Sequence, residues 1–368
     1  MSVLQQYKII IWGPGGLGAV CIWEAMTLKD FQVVGVRCYS DSKVGTDAGE
    51  YVGKVASGIK FSNNIDELLA LDADCVVYLA LDMGTFHTDD EVLKILESGK
   101  SIVTPLPYQQ AHLWRSKDFL DKLDAACKKG NSVFHATGCD PDTVSERIVQ
   151  AVTGLCTDIE QLKLQEAWEC SNNSPEIMAV VGIGKTPDEA RANPMAFEAC
   201  ANILRAVMHS TAHALLGVPF ARIETSSDYP TTPEEVISKY MHLKKGQVGR
   251  VTHRMQGYEN AADSQPFFTM EYNWFIGECN VPDGIKPGQY FALSIEGRPS
   301  VKVAIDIRAS LKNNDRMLDL GKLQTEPGYH SVIAACLQAI PFVCQAKPGL
   351  LPSYEPVIHW KRHLSKHL

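Results

Sequence analysis

The first part of the chain is written in short unbroken apolar runs, and the later part in long alternating ones. Ile9–Trp12, Phe31–Tyr39, Cys75–Leu81, Ser101–Thr104 and Ser132–Ala136 lack the alternation of a half-exposed strand. Runs of this length and β-branched content read as strands of a parallel sheet covered on both faces. Helical segments lie between them at Ala19–Leu28, after the loop Asp82–Asp89, and at Ala111–Lys128, with Ser98-Gly99-Lys100 as a stop signal. This alternation predicts an α/β, doubly wound parallel sheet with ligands beyond the carboxyl ends of its strands. The loops 82–89, 105–110 and 137–141 leave those ends, and Asp140-Pro141 reads as a helix cap followed by a first-turn proline.

From about residue 158 the period changes. Gln161–Cys170 alternates, and Gln247–Tyr258, Phe267–Phe275, Tyr290–Glu296 and Ser300–Ala309 are further long strands. They predict a second, α+β domain on a largely antiparallel sheet. Thr186-Pro187-Asp188-Glu189 and Thr232-Pro233-Glu234-Glu235 both read as capped helix starts, and Met195–Leu216 as a long amphipathic helix. The expected division is 1–157, 158–310 and a segment 311–368 that returns to the first domain. Phe268, Met270, Tyr272 and Trp274 form a sheet face that one helical layer is not expected to cover, which predicts a two-fold homodimer.

Composition narrows the function classes. Hydrophobic residues make up 45% of the 368 and charged ones 21%, as in ordinary globular chains. A net charge of −8 with no basic stripe speaks against a nucleic-acid partner. No leader is read at the N-terminus and no uncharged run is read as long enough for a membrane, so a cytoplasmic protein is expected. The 11 cysteines lack CxxC spacing and fit buried reduced thiols; no metal site is expected, and His209 and His213 read as a helix-packing pair. The basic run Trp360–His363 reads as a frayed or dimer-clasping end.

The candidate chemistry starts at Gly13-x-Gly15-x-x-Gly18, between the first strand and the first helix. Gly13 allows the sharp turn, Gly15 allows the backbone to approach a pyrophosphate, and Gly18 allows the helix to pack on the strand. This makes the first domain a Rossmann-type dinucleotide site, in which Gly16 and Leu17 open the helix toward the phosphates. About 20 residues on, an NAD site would carry an acid for the ribose; here the run is Arg37-Cys38-Tyr39-Ser40-Asp41-Ser42-Lys43. Ser40, Ser42 and Lys43 suit a 2′-phosphate, so NADP is expected, although Asp41 keeps NAD possible. Leu81, Thr104 and Pro105, at strand ends, are further candidate cofactor contacts.

GPGGLGAV at 13–20, KVGTDAGEYVG at 43–53, ATGCDP at 136–141, EAWECSNNSPEIMAVVGIGKTPDEA at 166–190 and AIPFVCQAKPGL at 339–350 resemble the dihydrodipicolinate reductase-like oxidoreductases. Within them the chain is most similar to the 2,4-diaminopentanoate dehydrogenase and amine dehydrogenase branch. The resemblance implies a Rossmann domain, an α+β substrate domain through which a homodimer forms, and reversible NAD(P)-linked oxidation of a primary amine. That branch carries a glutamate after the strand matching Ser101–Thr104, whereas this chain reads Thr104-Pro105-Leu106-Pro107-Tyr108-Gln109-Gln110.

Tyr108 is therefore a candidate proton donor, to a carbonyl rather than an amine, with a packing role as its alternative. His135 at a strand end and Glu169 are the other candidate acid–base groups. Trp168, Gly138, Asp140 and Glu176 are candidate substrate contacts, and Glu166 lies on the strand face opposite Glu169. The expected activity is hydride transfer between nicotinamide and a small or medium organic substrate, amine or carbonyl, held between the domains. Simple amine oxidation is expected to be weak. The alternatives are reduction of a carbonyl or conjugated C=C substrate only, and a non-catalytic NADP-binding sensor.

Overall fold

The computed structural model describes residues 6–352 apart from 83, 174, 239, 313–317 and 321–322; the side chains of 175–177, 194–200, 203, 318–320 and 323–324 are also outside the description. The run Trp360–His363 falls outside the described residues. Two compact units divide the chain, one formed by residues up to Thr143 together with those from Arg308, the other by Val144–Ile307.

In the first unit β1 (Tyr7–Trp12), α1 (Gly16–Ala25), β2 (Phe31–Arg37), α2 (Ala48–Tyr51), β3 (Phe61–Ser62), α3 (Ile65–Leu69), β4 (Cys75–Tyr78), α4 (Asp89–Glu97), β5 (Ser101–Thr104), α5 (Ala111–Trp114), α6 (Lys117–Gly130) and β6 (Val133–Ala136) follow in turn. The sheet is wholly parallel, in the order C-terminal strand (Gly349–Leu351), β6, β5, β4, β1, β2, β3. Both faces are covered, which is why its strands are uniformly apolar. Ile9, Ile11 and Val77 pack with α1 and the C-terminal helix Pro327–Gln345, while Ile10, Trp12, Val76 and Tyr78 pack with α4 and α6.

Several sequence expectations need correction. Ala111–Lys128 is two helices, because the hydroxyl of Ser116 accepts from the Phe119 N–H at 3.3 Å and starts a new one. The helix after β6 does not start at Pro141: Pro141 has ψ 156° and Asp142 φ 114°, so both are extended or left-handed. Pro327–Gln345 is in fact long and apolar enough to cross a membrane by length and composition. Ile333, Cys336, Leu337, Ile340 and Val343 on this helix are buried in the first unit's core. The three-residue C-terminal strand carries too little pattern to be read in advance.

The second unit begins with α7 (Val149–Thr153), β7 (Asp158–Glu169), α8 (Pro175–Val181), α9 (Pro187–Arg191), α10 (Pro194–Leu216) and β8 (Arg222–Asp228). The short pair β9 (Val236–Ile237) and β10 (His242–Leu243) precedes β11 (Arg250–Tyr258), β12 (Phe268–Phe275), β13 (Phe291–Arg298) and β14 (Val301–Ile305). The six-stranded sheet runs β14-β13-β7-β12-β11-β8, antiparallel except for β12 on β7. The capping box at Thr186 and Glu189 is present. Thr232 starts no helix: its backbone pairs with Gln247 and Gly246, and β-branched Val236 and Ile237 enter β9. β8 is too polar (RIETSSD) to have been read as a strand.

The apolar sheet face is covered within the chain. Phe268, Met270 and Tyr272 are 0%, 0% and 4% exposed and offer no surface to a second copy, while Trp274 is half-buried. The opposite face carries Lys163, Gln165, Arg254 and Glu271, linked by ion pairs and a hydrogen bond. On the covered face His253 is buried, with Nδ1 2.7 Å from the Ser227 hydroxyl, and burial pushes its imidazole down to about 4.

An unfolded histidine titrates near 6.5, so between about pH 6.5 and 4 the unfolded chain binds the extra proton. The contribution of His253 is thus fully present above 6.5 and lost as pH falls toward 4. Denaturant midpoints of His253→Gln should show a shallower acid decline than wild type across that window. Parallel declines would show that His253 is protonated in the native state.

Candidate functional site

The carboxyl edge of the parallel sheet gathers the glycine turn, the end of β2 and the loops after β4, β5 and β6. Gly13 has φ +98°, and a Cβ there would lie 2.8 Å from the Leu79 carbonyl oxygen. A Cβ on Gly18 would lie 2.2 Å from the Gly13 carbonyl oxygen, so α1 can dock on β1 only with glycine at that position. Gly15 differs. Its φ of −86° suits any residue and a Cβ there would meet nothing within 4 Å, so the chain's own packing does not require glycine. Gly15 and Gly16 are exposed, Leu17 is half-buried, and the Tyr329 ring lies against Gly16.

The stretch 43–53 holds this turn from beneath. Lys43 Nζ and the Tyr51 hydroxyl both donate to the Pro14 carbonyl, each at 2.9 Å. Asp47 caps α2 and accepts from the N–H groups of Gly49, Glu50, Ser57 and Gly58. Burial raises the Asp47 carboxyl, but those backbone donors outweigh it and hold it well below the usual carboxylate range. Lys43 is thereby bonded to the glycine turn. Ser40 and Ser42 remain exposed, their hydroxyls 2.6 Å apart.

After β4, Leu81 is 78% exposed, an apolar side chain left at the sheet edge. The Asp82 carboxylate shapes the next turn by accepting from Thr85, Phe86 and Thr88. Thr104 is fully buried, donating to the Tyr78 carbonyl at 2.8 Å and accepting from Leu106 N–H, which removes its side chain from direct cofactor contact. Pro105 is half-buried, and a Cβ on Gly138 would lie 3.5 Å from its Cβ, so the loops after β5 and β6 abut. Asp140 follows on the second of these loops.

Tyr108 is not an open proton donor. It is 1% exposed, lies among Phe86, Phe119 and Phe134, and donates to Asp89 at 2.6 Å. Burial and that carboxylate push its phenol far above the ordinary range. Asp89 is also paired with Arg115 at 2.5 Å. His135 is 5% exposed, and its Nδ1 donates to the Leu351 carbonyl at 3.0 Å, tying β6 to the C-terminal strand.

In the second unit the Glu169 carboxylate accepts from the Ser171 hydroxyl and from the Gly277 N–H, bracing the turn after β12. Trp168 meets Trp274 edge to face at 5.8 Å on the covered sheet face. Glu176 lies in α8 and its side chain is outside the description. Among the described residues no group of three or more metal-ligating side chains occurs, and the ten of the 11 cysteines that are described are free thiols, eight of them buried. Sequence reading missed Tyr51, Asp47 and Tyr329 as supports of the turn, since hydrophobic periodicity carries no sign of such partners.

No family model matches the chain. It is 25% identical over 356 residues to an amine dehydrogenase of Streptomyces virginiae, covering 93% of each chain. It is 21% identical over 350 residues to a 2,4-diaminopentanoate dehydrogenase of Acetoanaerobium sticklandii, covering 94% of this chain and 92% of that one. The fold matches the solved amine dehydrogenase from Mycobacterium smegmatis with a TM-score of 0.69 at 20% identity, over 97% and 98% of the two chains. The glycine turn and the strand order agree with this full-length likeness to an amine dehydrogenase and a 2,4-diaminopentanoate dehydrogenase.

Proposed function

We propose that this chain, an NAD(P)-dependent oxidoreductase, interconverts a small primary amine and its imine or ketone by hydride exchange with nicotinamide. The observation that carries the cofactor reading is Gly15: nothing among the described residues needs glycine there, and a pyrophosphate laid on the turn does. When bound, the nicotinamide supplies the hydride chemistry. The chain supplies the amide groups of the turn for the phosphates and the exposed Leu81 as an apolar contact.

The substrate reading is supported by the names of the two relatives, an amine dehydrogenase and a diaminopentanoate dehydrogenase. An amine must lose a proton before it gives up hydride, and the segment 104–110 has no carboxylate. We assign that task to Asp140, on the loop packed against Pro105. A second reading, reduction of a carbonyl or conjugated substrate alone, is favoured by the same missing acid. A second copy of the chain is proposed to cover the polar sheet face around Lys163 and Glu271; light scattering giving the 40.5 kDa of one chain would count against this.

Nicotinamide absorbance with an amine panel and a ketone panel separates the readings. Oxidation of at least one amine is expected; turnover of ketones without ammonia would move the assignment to the second reading, and binding without turnover to a sensor. Asp140→Asn should lower amine turnover by about 10²–10⁴ with cofactor affinity kept. Tyr108→Phe should keep turnover while lowering thermal stability, because it removes a buried hydrogen bond. A large loss of turnover in a stable Tyr108→Phe would return the proton to the phenol.

At the turn itself, Gly15→Val should fold normally and lose NAD(P)H binding. Gly18→Ala should lose about 1–3 kcal/mol of stability through overpacking. Unchanged NADPH titration of folded Gly15→Val would remove the dinucleotide site from this turn.

A further inference from the structure

Cys344 lies in the last turn of the C-terminal helix Pro327–Gln345 and is half-buried, while Cys75 opens β4 and is 0% exposed. The two thiols meet. Cys344 packs against the core cluster that contains Cys75, and a hydrogen bond joins their side chains. Cys75 Sγ also donates to the Val76 carbonyl at 3.6 Å. Cys75 pairs with Ile9 and Ser101 toward the amino edge of the parallel sheet, at the opposite end of its strands from the glycine turn.

Two features set this pair apart from the other buried thiols. Solvent reaches Cys344, whereas Cys21 on α1 and Cys336 on the same helix, which also interact, are both 0% exposed. Pro341 removes the N–H that would bond the Leu337 carbonyl one turn back, which loosens the last turn from the rest of the helix. That turn is then held by buried Val343 and by Gln345 Nε2, which donates to the Tyr7 hydroxyl at 3.2 Å. Burial, and then the neighbouring Cys344, push the Cys75 thiol well above its ordinary value, which leaves it inert toward an oxidant that meets it alone.

We propose that Cys344 and Cys75 form a reversible disulfide with a small-molecule disulfide, such as oxidised glutathione, as the oxidant, and that the bond fastens the C-terminal helix to β4. The Cys344 thiol loses its proton to water, and its thiolate attacks one sulfur of the oxidant, whose S–S bond breaks to release one glutathione thiolate. Cys75, its proton also passing to water, then attacks the Cys344 sulfur of the mixed disulfide and releases the second glutathione. Both leaving thiolates regain protons, so two protein thiols are oxidised as one disulfide is reduced to two thiols. The second step is intramolecular, and contact with Cys344 offsets the low acidity of Cys75.

Intact-mass and non-reducing peptide analysis of the full chain incubated with oxidised glutathione tests this. Wild type should lose the mass of two hydrogens, apart from any adduct on exposed Cys279, and yield a linked peptide joining Cys75 to Cys344 that dithiothreitol separates. Cys75→Ala should instead keep glutathione on Cys344, because the resolving thiol is gone, and Cys344→Ser should show neither product. Should Cys75→Ala not fold, wild type and Cys344→Ser decide the matter alone. The cross-linked chain should have a higher urea midpoint than the reduced chain, since the bond constrains the unfolded state. A lasting glutathione adduct on Cys344 in wild type with no linked peptide, or no reaction at Cys344 while Cys279 is modified, overturns the pair. Equal midpoints for the cross-linked and reduced chains overturn the fastening.

Discussion

The first unit depends on one close approach, the docking of α1 on β1 through Gly13 and Gly18. With 2.2 Å between the Gly13 carbonyl oxygen and any Cβ at position 18, the helix start and the strand end can be this near only as glycines. That approach places the first N–H groups of α1 at the carboxyl edge of the sheet, where a helix N-terminus favours an anion. The Pro14 carbonyl, pinned by Lys43 and Tyr51, then stops the turn from relaxing. The Gly15 position is left clear above a turn that is rigid from below. An empty, rigid and donor-lined surface is what phosphate binding requires.

The same economy of partners explains why some conspicuous side chains are not chemical groups. Tyr108 lies on the loop after β5, which turns it inward to Asp89 and the aromatic cluster. His135 and Glu169 likewise hold backbone groups, the first at Leu351 and the second at Gly277.

Much of the fold was legible. The unbroken apolar runs marked β1, β2, β4, β5 and β6 because a sheet covered on both faces leaves no polar period to read. Alternation marked β7, β11, β12, β13 and β14 for the opposite reason. β8 was illegible because RIETSSD lies at a sheet edge and is largely exposed, and the C-terminal strand because three residues carry no period. Thr232-Pro233-Glu234-Glu235 misled because a local capping pattern lost to extended pairing with Gln247. At the site, the glycines could be read because each spacing has its own steric reason. The direction of Lys43, the burial of Tyr108 and the closure of the apolar face over Phe268 could not, since long-range partners leave no local signature.

A dinucleotide on the glycine turn that runs to the end of β2 is tested by hydrogen–deuterium exchange of the full chain with and without saturating NADPH. Slowed exchange is expected in peptides covering Gly13–Gly18 and Arg37–Lys43. Exchange unchanged in both peptides at saturation, with protection appearing only elsewhere, would contradict it.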